Sequence, residues 1–217
     1  MCGRYALMAK MGELVKAFNL ENDIPFEGTY NAAPSQSQPI IIRNRIGFAE
    51  WGFKLHAEKT DMRPPINTRS ETAHQKPMFK DSFFRRRCII PAQGFYEWPY
   101  QKKGANPAYY YLEDDDALMG FAGIWSKIDG EDGKPLVTFS ILTKEAIAPF
   151  KDTHPRMPVM LTPEQCKIWM FEPAMDARRV LPQHELRMTG HEVSTAVNNP
   201  ANNNQELIRQ LAPATLF

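Results

Sequence analysis

Along residues 7–20, LMAKMGELVKAFNL, the apolar positions Leu7, Met11, Leu14, Val15 and Phe18 return every three or four residues, which places them on one face of a helix. Beyond residue 36 the pattern changes. PIIIR (39–43) and IGFAEWGF (46–53) are compact β-branched and aromatic runs parted at Asn44, and they predict two strands joined by a turn. The same signature recurs at 87–91, 94–98, 108–113, 117–125 and 136–143. EDDDA (113–117) reads as a hairpin turn and KIDGEDGKP (127–135) as an exposed loop. TPEQCKIWMF (162–171) opens with Thr162 as N-cap, Pro163 at the first helical position and Gln165 closing a capping box, so it predicts a helix. A last helix is expected over 204–211, NQELIRQL. Strands run consecutively through the middle and helices flank them. The expected fold class is therefore α+β: one sheet-rich domain over 1–217, barrel-like and mostly antiparallel, with flanking helices.

Composition narrows the function. A chain of 217 residues can bury a sizeable core, and 43% apolar against 24% charged residues argues against extended disorder. Net charge is only +1, so any affinity for nucleic acid must come from a local patch. The three cysteines, Cys2, Cys88 and Cys166, are odd in number and widely spaced, which fits a reducing compartment and disfavours a disulfide framework or a cysteine metal site. No stretch reads as a signal peptide, and no apolar run approaches the ~18 residues of a membrane span. These features predict a cytoplasmic protein that does not enter the membrane and acts as a monomer without a cofactor or metal.

Four stretches carry possible chemistry. MCGRYA puts Cys2 directly behind the initiator methionine; a small residue there favours removal of that methionine, leaving an α-amine and a thiol on one residue. Their ordinary pKa values, about 8 and about 8.5, leave both partly deprotonated near neutrality. A 1,2-aminothiol condenses with an aldehyde through its amine and closes a thiazolidine through its sulfur, which no internal cysteine can do. Cys2 is otherwise a small buried hydrophobe. PPINTRSET (64–72) aligns Asn67, Arg69 and Glu71 on one face if extended, where Glu71 would hold Arg69; it reads equally as a solvated edge. PAQGFYEWPY (91–100) sets Glu97 between Tyr96 and Trp98, where desolvation would suit it to acid–base work and Trp98 could stack a base, unless Glu97 faces water and Trp98 the core. KDTHPRMPVML (151–161) restrains His154 between prolines beside Arg156. In FFRRRC (83–88), alternation would send Arg85 and Arg87 one way and Arg86 the other.

These stretches occur in a fixed order with YNAAPSQ (30–36), RRCIIPAQGFYEW, ILTKEA (141–146) and VSTAVNNPANNNQELI (193–208), and the set resembles the SRAP (SOS response-associated peptidase) family over essentially the whole chain. The resemblance implies a DNA-damage response protein that binds single-stranded DNA and shields abasic sites by crosslinking them through the mature Cys2 as a thiazolidine. It would be cytoplasmic and nucleoid-associated when engaged. It implies Cys2 as nucleophile, Asn67 beside the linkage, Glu97 in acid–base steps and His154 in sugar-ring opening. Arg4, Arg69, Arg156, Trp98, Pro34 and Lys76 are the implied DNA contacts. Two departures stand out. Paired tryptophans that some relatives carry after the equivalent of Trp51-Gly52 are absent from FKLHAEKTDMR, and an arginine before "MF" is replaced by Pro77 with Lys76 adjacent. A cysteine autopeptidase or N-terminal-nucleophile hydrolase, and a non-covalent reader of modified single-stranded DNA, remain alternatives.

Overall fold

The computed structural model describes residues 2–55, 63–100, 104, 106–112, 118–130 and 133–212. In chain order the elements are β1 (Arg4–Leu7), α1 (Met11–Phe18), β2 (Thr29–Ala32), β3 (Ser37–Ile42), β4 (Arg45–Trp51), β5 (Asn67–Arg69), α2 (Pro77–Arg85), β6 (Arg87–Ala92), β7 (Gly94–Glu97), β8 (Ala108–Leu112), β9 (Met119–Asp129), β10 (Pro135–Glu145), β11 (Arg156–Pro158), β12 (Met160–Leu161), α3 (Pro163–Phe171), α4 (Ala174–Ala177) and β13 (Met188–Glu192).

β10, β4, β3, β6 and β9 pair in that order, and β9 pairs back to β10, closing a five-stranded barrel. Closure leaves none of these five strands as an open edge. A second sheet runs β13-β8-β7-β1-β2. Pairing is antiparallel except where β10 meets β4 and β5, so the expected α+β, mostly antiparallel barrel with flanking helices is what the chain adopts. The aromatic strand residues fill the centre. Trp51 stacks on Phe139 at 6.1 Å and lies 5.3 Å from Tyr5, which meets Phe121 edge-on. The Trp51 indole N–H donates to Ile66 O at 2.9 Å, so its one polar atom is satisfied.

The predicted helix at 7–20 begins only at Met11. Leu7 closes β1, because residues 4–7 are claimed by strand partners on both sides and that pairing overrides helical periodicity. Gln93 Oε1 accepts from the backbone N–H of Met8 and Ala9, both at 2.7 Å, where strand gives way to helix. Thr162 and Gln165 form the expected capping box at the start of α3. The closing helix shrinks to a 3-10 turn, Gln205–Ile208, capped by Asn204. The loop expected at 127–135 is shorter than read, since β9 reaches Asp129 and β10 starts at Pro135; the EDDDA turn lies outside the described residues. Arg85, Arg86 and Arg87 do not alternate on a strand, because they span the end of α2 and the start of β6. Arg85 and Arg86 pair with Asp81, while Arg87 lies 5.2 Å over the Trp169 ring.

At Gly123 the barrel wall is too close for a side chain. A Cβ there would sit 2.3 Å from Ile90 Cδ1, 3.0 Å from Cys88 Sγ and 3.2 Å from the backbone O of Ser140. Overpacking of this kind costs about 1–3 kcal/mol. Gly123→Val is expected to lower the thermal midpoint by several degrees without changing the residues of the site; an unchanged midpoint in a calorimetric scan would contradict this account of barrel packing.

Candidate active site at the start of the chain

The site forms where β1, β5, β7 and the loop before β11 converge. β1 pairs with β7 in the register Arg4↔Tyr96, Tyr5↔Phe95 and Ala6↔Gly94, so Cys2 and Glu97 lie just past the same end of the ladder. Both are buried, Cys2 at 0% and Glu97 at 4% exposure. Asn67 opens β5, and its Nδ2 donates to Cys2 O at 2.8 Å. Asn67 Oδ1 is buried without a hydrogen-bond partner among the described residues, which leaves one acceptor of the amide available at the first residue of β5.

β10 ties the remaining parts together. Ile141 and Thr143 align with Asn67 and Arg69 of β5, while Thr143 and Glu145 align with Pro158 and Arg156 of β11. The loop before β11 is also fixed to the strand end that carries Glu97: Tyr100 N–H donates to Thr153 O at 2.9 Å, and the Tyr110 hydroxyl lies 2.5 Å from Thr153 Oγ1. His154 follows. Its Nδ1 lies 3.0 Å from Arg156 N and 3.1 Å from Arg156 O.

Electrostatics set resting protonation states. Burial, with the Glu97 carboxylate as the next contribution, pushes the Cys2 thiol far up, so the resting thiol keeps its proton. Burial likewise raises the Glu97 carboxyl above its usual range. Burial holds His154 below the usual histidine range, favouring the neutral ring, although its backbone hydrogen bond with Arg156 works the other way. Of the two alternatives for Glu97, the desolvated one holds.

The implied DNA contacts separate into two groups. Arg4 donates to Asn31 Oδ1 at 2.8 Å, to Asn198 O at 3.0 Å and to Val197 O. Arg156 is 15% exposed and grips Glu71 with both Nη atoms, at 2.7 and 2.9 Å, while Nη2 also donates to Thr143 O at 2.6 Å. Glu71 thus holds Arg156, not Arg69 as alternation along 67–71 suggests, because β5 ends at Arg69 and Glu71 falls in the following turn. Trp98 is half-buried, with Nε1 donating to Asn198 Oδ1 at 2.8 Å. By contrast Arg69 and Lys76 are exposed, and neither side chain has a hydrogen-bond or ion-pair partner among the described residues. Pro34 sits half-buried in the turn between β2 and β3, next to Ser35 at φ 67°.

Sequence reasoning missed the Asn31 network. The Asn31 amide donates to Asn199 O at 3.1 Å and Asn202 O at 2.8 Å, joining YNAAP to VNNPANNN. Both motifs are visible in the sequence, but nothing in either names the other as its partner.

The raised Glu97 pKa has a pH consequence. A group whose folded pKa lies above its unfolded value contributes stability at low pH that is lost as pH rises through the folded pKa. Glu97→Gln cannot ionise, so its thermal midpoint should gain on wild type between about pH 4, near the unperturbed carboxyl value, and neutrality. A gap that stays constant or reverses over that range would contradict burial as the dominant influence.

The SOS response associated peptidase (SRAP) family model matches residues 1–200. Abasic site processing protein YoqW of Bacillus subtilis is 35% identical over 222 residues, covering 96% of this chain and 99% of that protein. Abasic site processing protein YedK of Escherichia coli is 29% identical, covering 96% and 99%, and abasic site processing protein HMCES of Mus musculus is 29% identical, covering 87% of this chain and 66% of that one. A solved protein structure from Bacteroides thetaiotaomicron shares the fold with a TM-score of 0.84 at 21% identity, covering 97% of this chain and all of that one. With a family model spanning its barrel and its N-terminal cysteine site, the chain belongs to the SRAP family.

Proposed function

We propose that this protein processes abasic sites in single-stranded DNA by forming a covalent crosslink through Cys2. The observation that carries the proposal is the Asn67 Nδ2 bond to Cys2 O, which fixes the cysteine backbone beside a buried carboxyl. The names of the relatives, abasic site processing proteins, support the substrate class.

The chemistry follows from the groups present. An abasic sugar is mostly a closed hemiacetal, and opening it requires a proton to move from the hydroxyl to the ring oxygen. Glu97, with its raised carboxyl pKa, and neutral His154 are the acid and base suited to that transfer. Once Met1 is removed, the Cys2 amine attacks the aldehyde carbon and water leaves, giving an imine. The thiol then adds across the C=N bond: sulfur bonds carbon, and the thiol proton ends on nitrogen. Asn67 Oδ1 is the acceptor available to orient the amine, and holding the reactants together makes imine formation effectively unimolecular.

The same electrostatics weigh against the hydrolase alternative. A cysteine hydrolase needs a thiolate, and burial together with Glu97 opposes one at Cys2. In the crosslink the amine attacks first, and the imine nitrogen it creates takes the thiol proton as sulfur bonds carbon.

An abasic oligonucleotide incubated with the Met1-processed protein should give a shifted band on a denaturing gel. Cys2→Ala should abolish the band. Asn67→Ala and His154→Gln should each slow its appearance by about 10- to 100-fold, the scale expected for positioning and acid–base groups. No band with wild type, or an equal band with Cys2→Ala, would sink the proposal. The hydrolase alternative makes a different demand: Glu97→Gln would retain Met1 in an intact-mass measurement.

A further inference from the structure

Beside His154 the fold leaves one large aromatic ring in water. Tyr100 is 69% exposed, and its ring meets the imidazole of His154 edge to face, with centroids 5.3 Å apart and planes at 86°. A lone exposed aromatic is ordinary. The backbone that carries this one is anchored, because its N–H is bonded to Thr153 O, one residue before His154. Tyr100 and His154 also line a common cavity of about 650 Å3 with Pro99, Glu145, Asp152 and Glu192, a size within the range of small-ligand sites.

The charge of the cavity wall restricts what it accepts. Among the described residues, Glu145, Asp152 and Glu192 line it together with one lysine, Lys151. Three carboxylates repel a backbone phosphate, but a neutral planar ring meets no such penalty, and its exocyclic amines can donate to them. Trp98, the aromatic that sequence reasoning favours for stacking, is half-buried, and its indole N–H is taken by Asn198. Tyr100 has the more accessible face.

We infer that this cavity is a nucleobase subsite, in which Tyr100 stacks the base adjacent to the abasic sugar while that sugar lies at His154. The inference rests on the proposed function, and it adds a contact that sets preference for the neighbouring nucleotide.

The test measures equilibrium binding by fluorescence anisotropy with single strands carrying a tetrahydrofuran abasic analogue, which has no aldehyde and cannot react with Cys2. Three oligonucleotides are compared: both neighbouring bases present, the 5′ base removed, and the 3′ base removed. Wild type should weaken by about fivefold or more when one of the two bases is removed, the lower end of what one stacked base contributes. Tyr100→Ala should bind the complete strand more weakly by a similar factor and no longer distinguish it from the one lacking that base. Tyr100→Trp should restore the distinction. Equal binding of wild type to all three strands, or a Tyr100→Ala loss that is the same on all three, overturns the subsite, as does failure to bind any of them. A gel with a true abasic site keeps the two ideas apart. A missing crosslink with base-dependent anisotropy intact overturns the Cys2 chemistry alone, and a normal crosslink without base dependence overturns the subsite alone.

Discussion

The Arg4 guanidinium fastens the start of the chain to a segment nearly two hundred residues away, through Asn31 Oδ1, Val197 O and Asn198 O. The rest of the site depends on that clamp. Chain ends fray because ordering a residue's backbone costs about 1–2 kcal/mol and a terminus makes few contacts in return. A hydrogen bond to a charged group contributes about 1.5–3 kcal/mol. Three of them, added to ladders with β7 and β2 on both edges of β1, outweigh the cost of ordering residues 2–4. Cys2 therefore combines two properties that are normally incompatible: it stands where trimming one residue exposes an amine, and it is as immobile as a core residue.

Immobility has an electrostatic cost. The packing that orders Cys2 and Glu97 also removes them from water, and desolvation pushes both toward their neutral forms. His154 moves the same way from the other direction, losing its proton more readily. The three groups are driven toward a neutral resting site, which is compatible with burial. The bidentate Glu71–Arg156 pair lies at the edge of this group. Although partial burial opposes it, the hydrogen bonds from Arg156 hold the Glu71 carboxyl below its usual range. That pair spans from the turn after β5 to β11, so it braces the strand of Asn67 against the strand that follows His154.

Much of this was legible in the sequence wherever local physics decides. The capping box at Thr162 and Gln165, the β3–β4 hairpin and the strand carrying Glu97 rest on residues within a few positions of one another. What could not be read depends on contacts distant along the chain. β1 has no local signal, and its last residue, Leu7, falls within a helical periodicity, because its partners begin at Thr29 and Gly94. α2 went unpredicted although Lys76-Pro77 offers a proline at its first turn, since the segment's apolar face is short and defined by the barrel it covers. The motifs identified Cys2, Asn67, Glu97 and His154 as a set. Only the pairing of both β5 and β11 with β10 shows that the segments carrying Asn67 and Arg156 belong to neighbouring strands of one sheet.

The same distinction applies to the arginines, and it bears on selectivity. Arg4, Arg69 and Arg156, the arginines that the family resemblance implies as DNA contacts, differ in how the protein itself holds them. Two of the three hydrogen-bond to protein acceptors, whereas Arg69 is exposed, as is Lys76. Affinity for a polyanion scales with the number of phosphates neutralised, at about −0.7 per contact in the salt slope of a single strand. On the proposed reading, a chain of net charge +1 with two of these arginines already hydrogen-bonded to protein would attract a single strand only weakly and in a readily screened way. On the proposed reading, weak attraction is an advantage. Ordinary single strands outnumber damaged ones, and a protein that held them tightly would be occupied elsewhere. Discrimination then falls to the step that undamaged DNA cannot undergo, the condensation of an amine with an aldehyde.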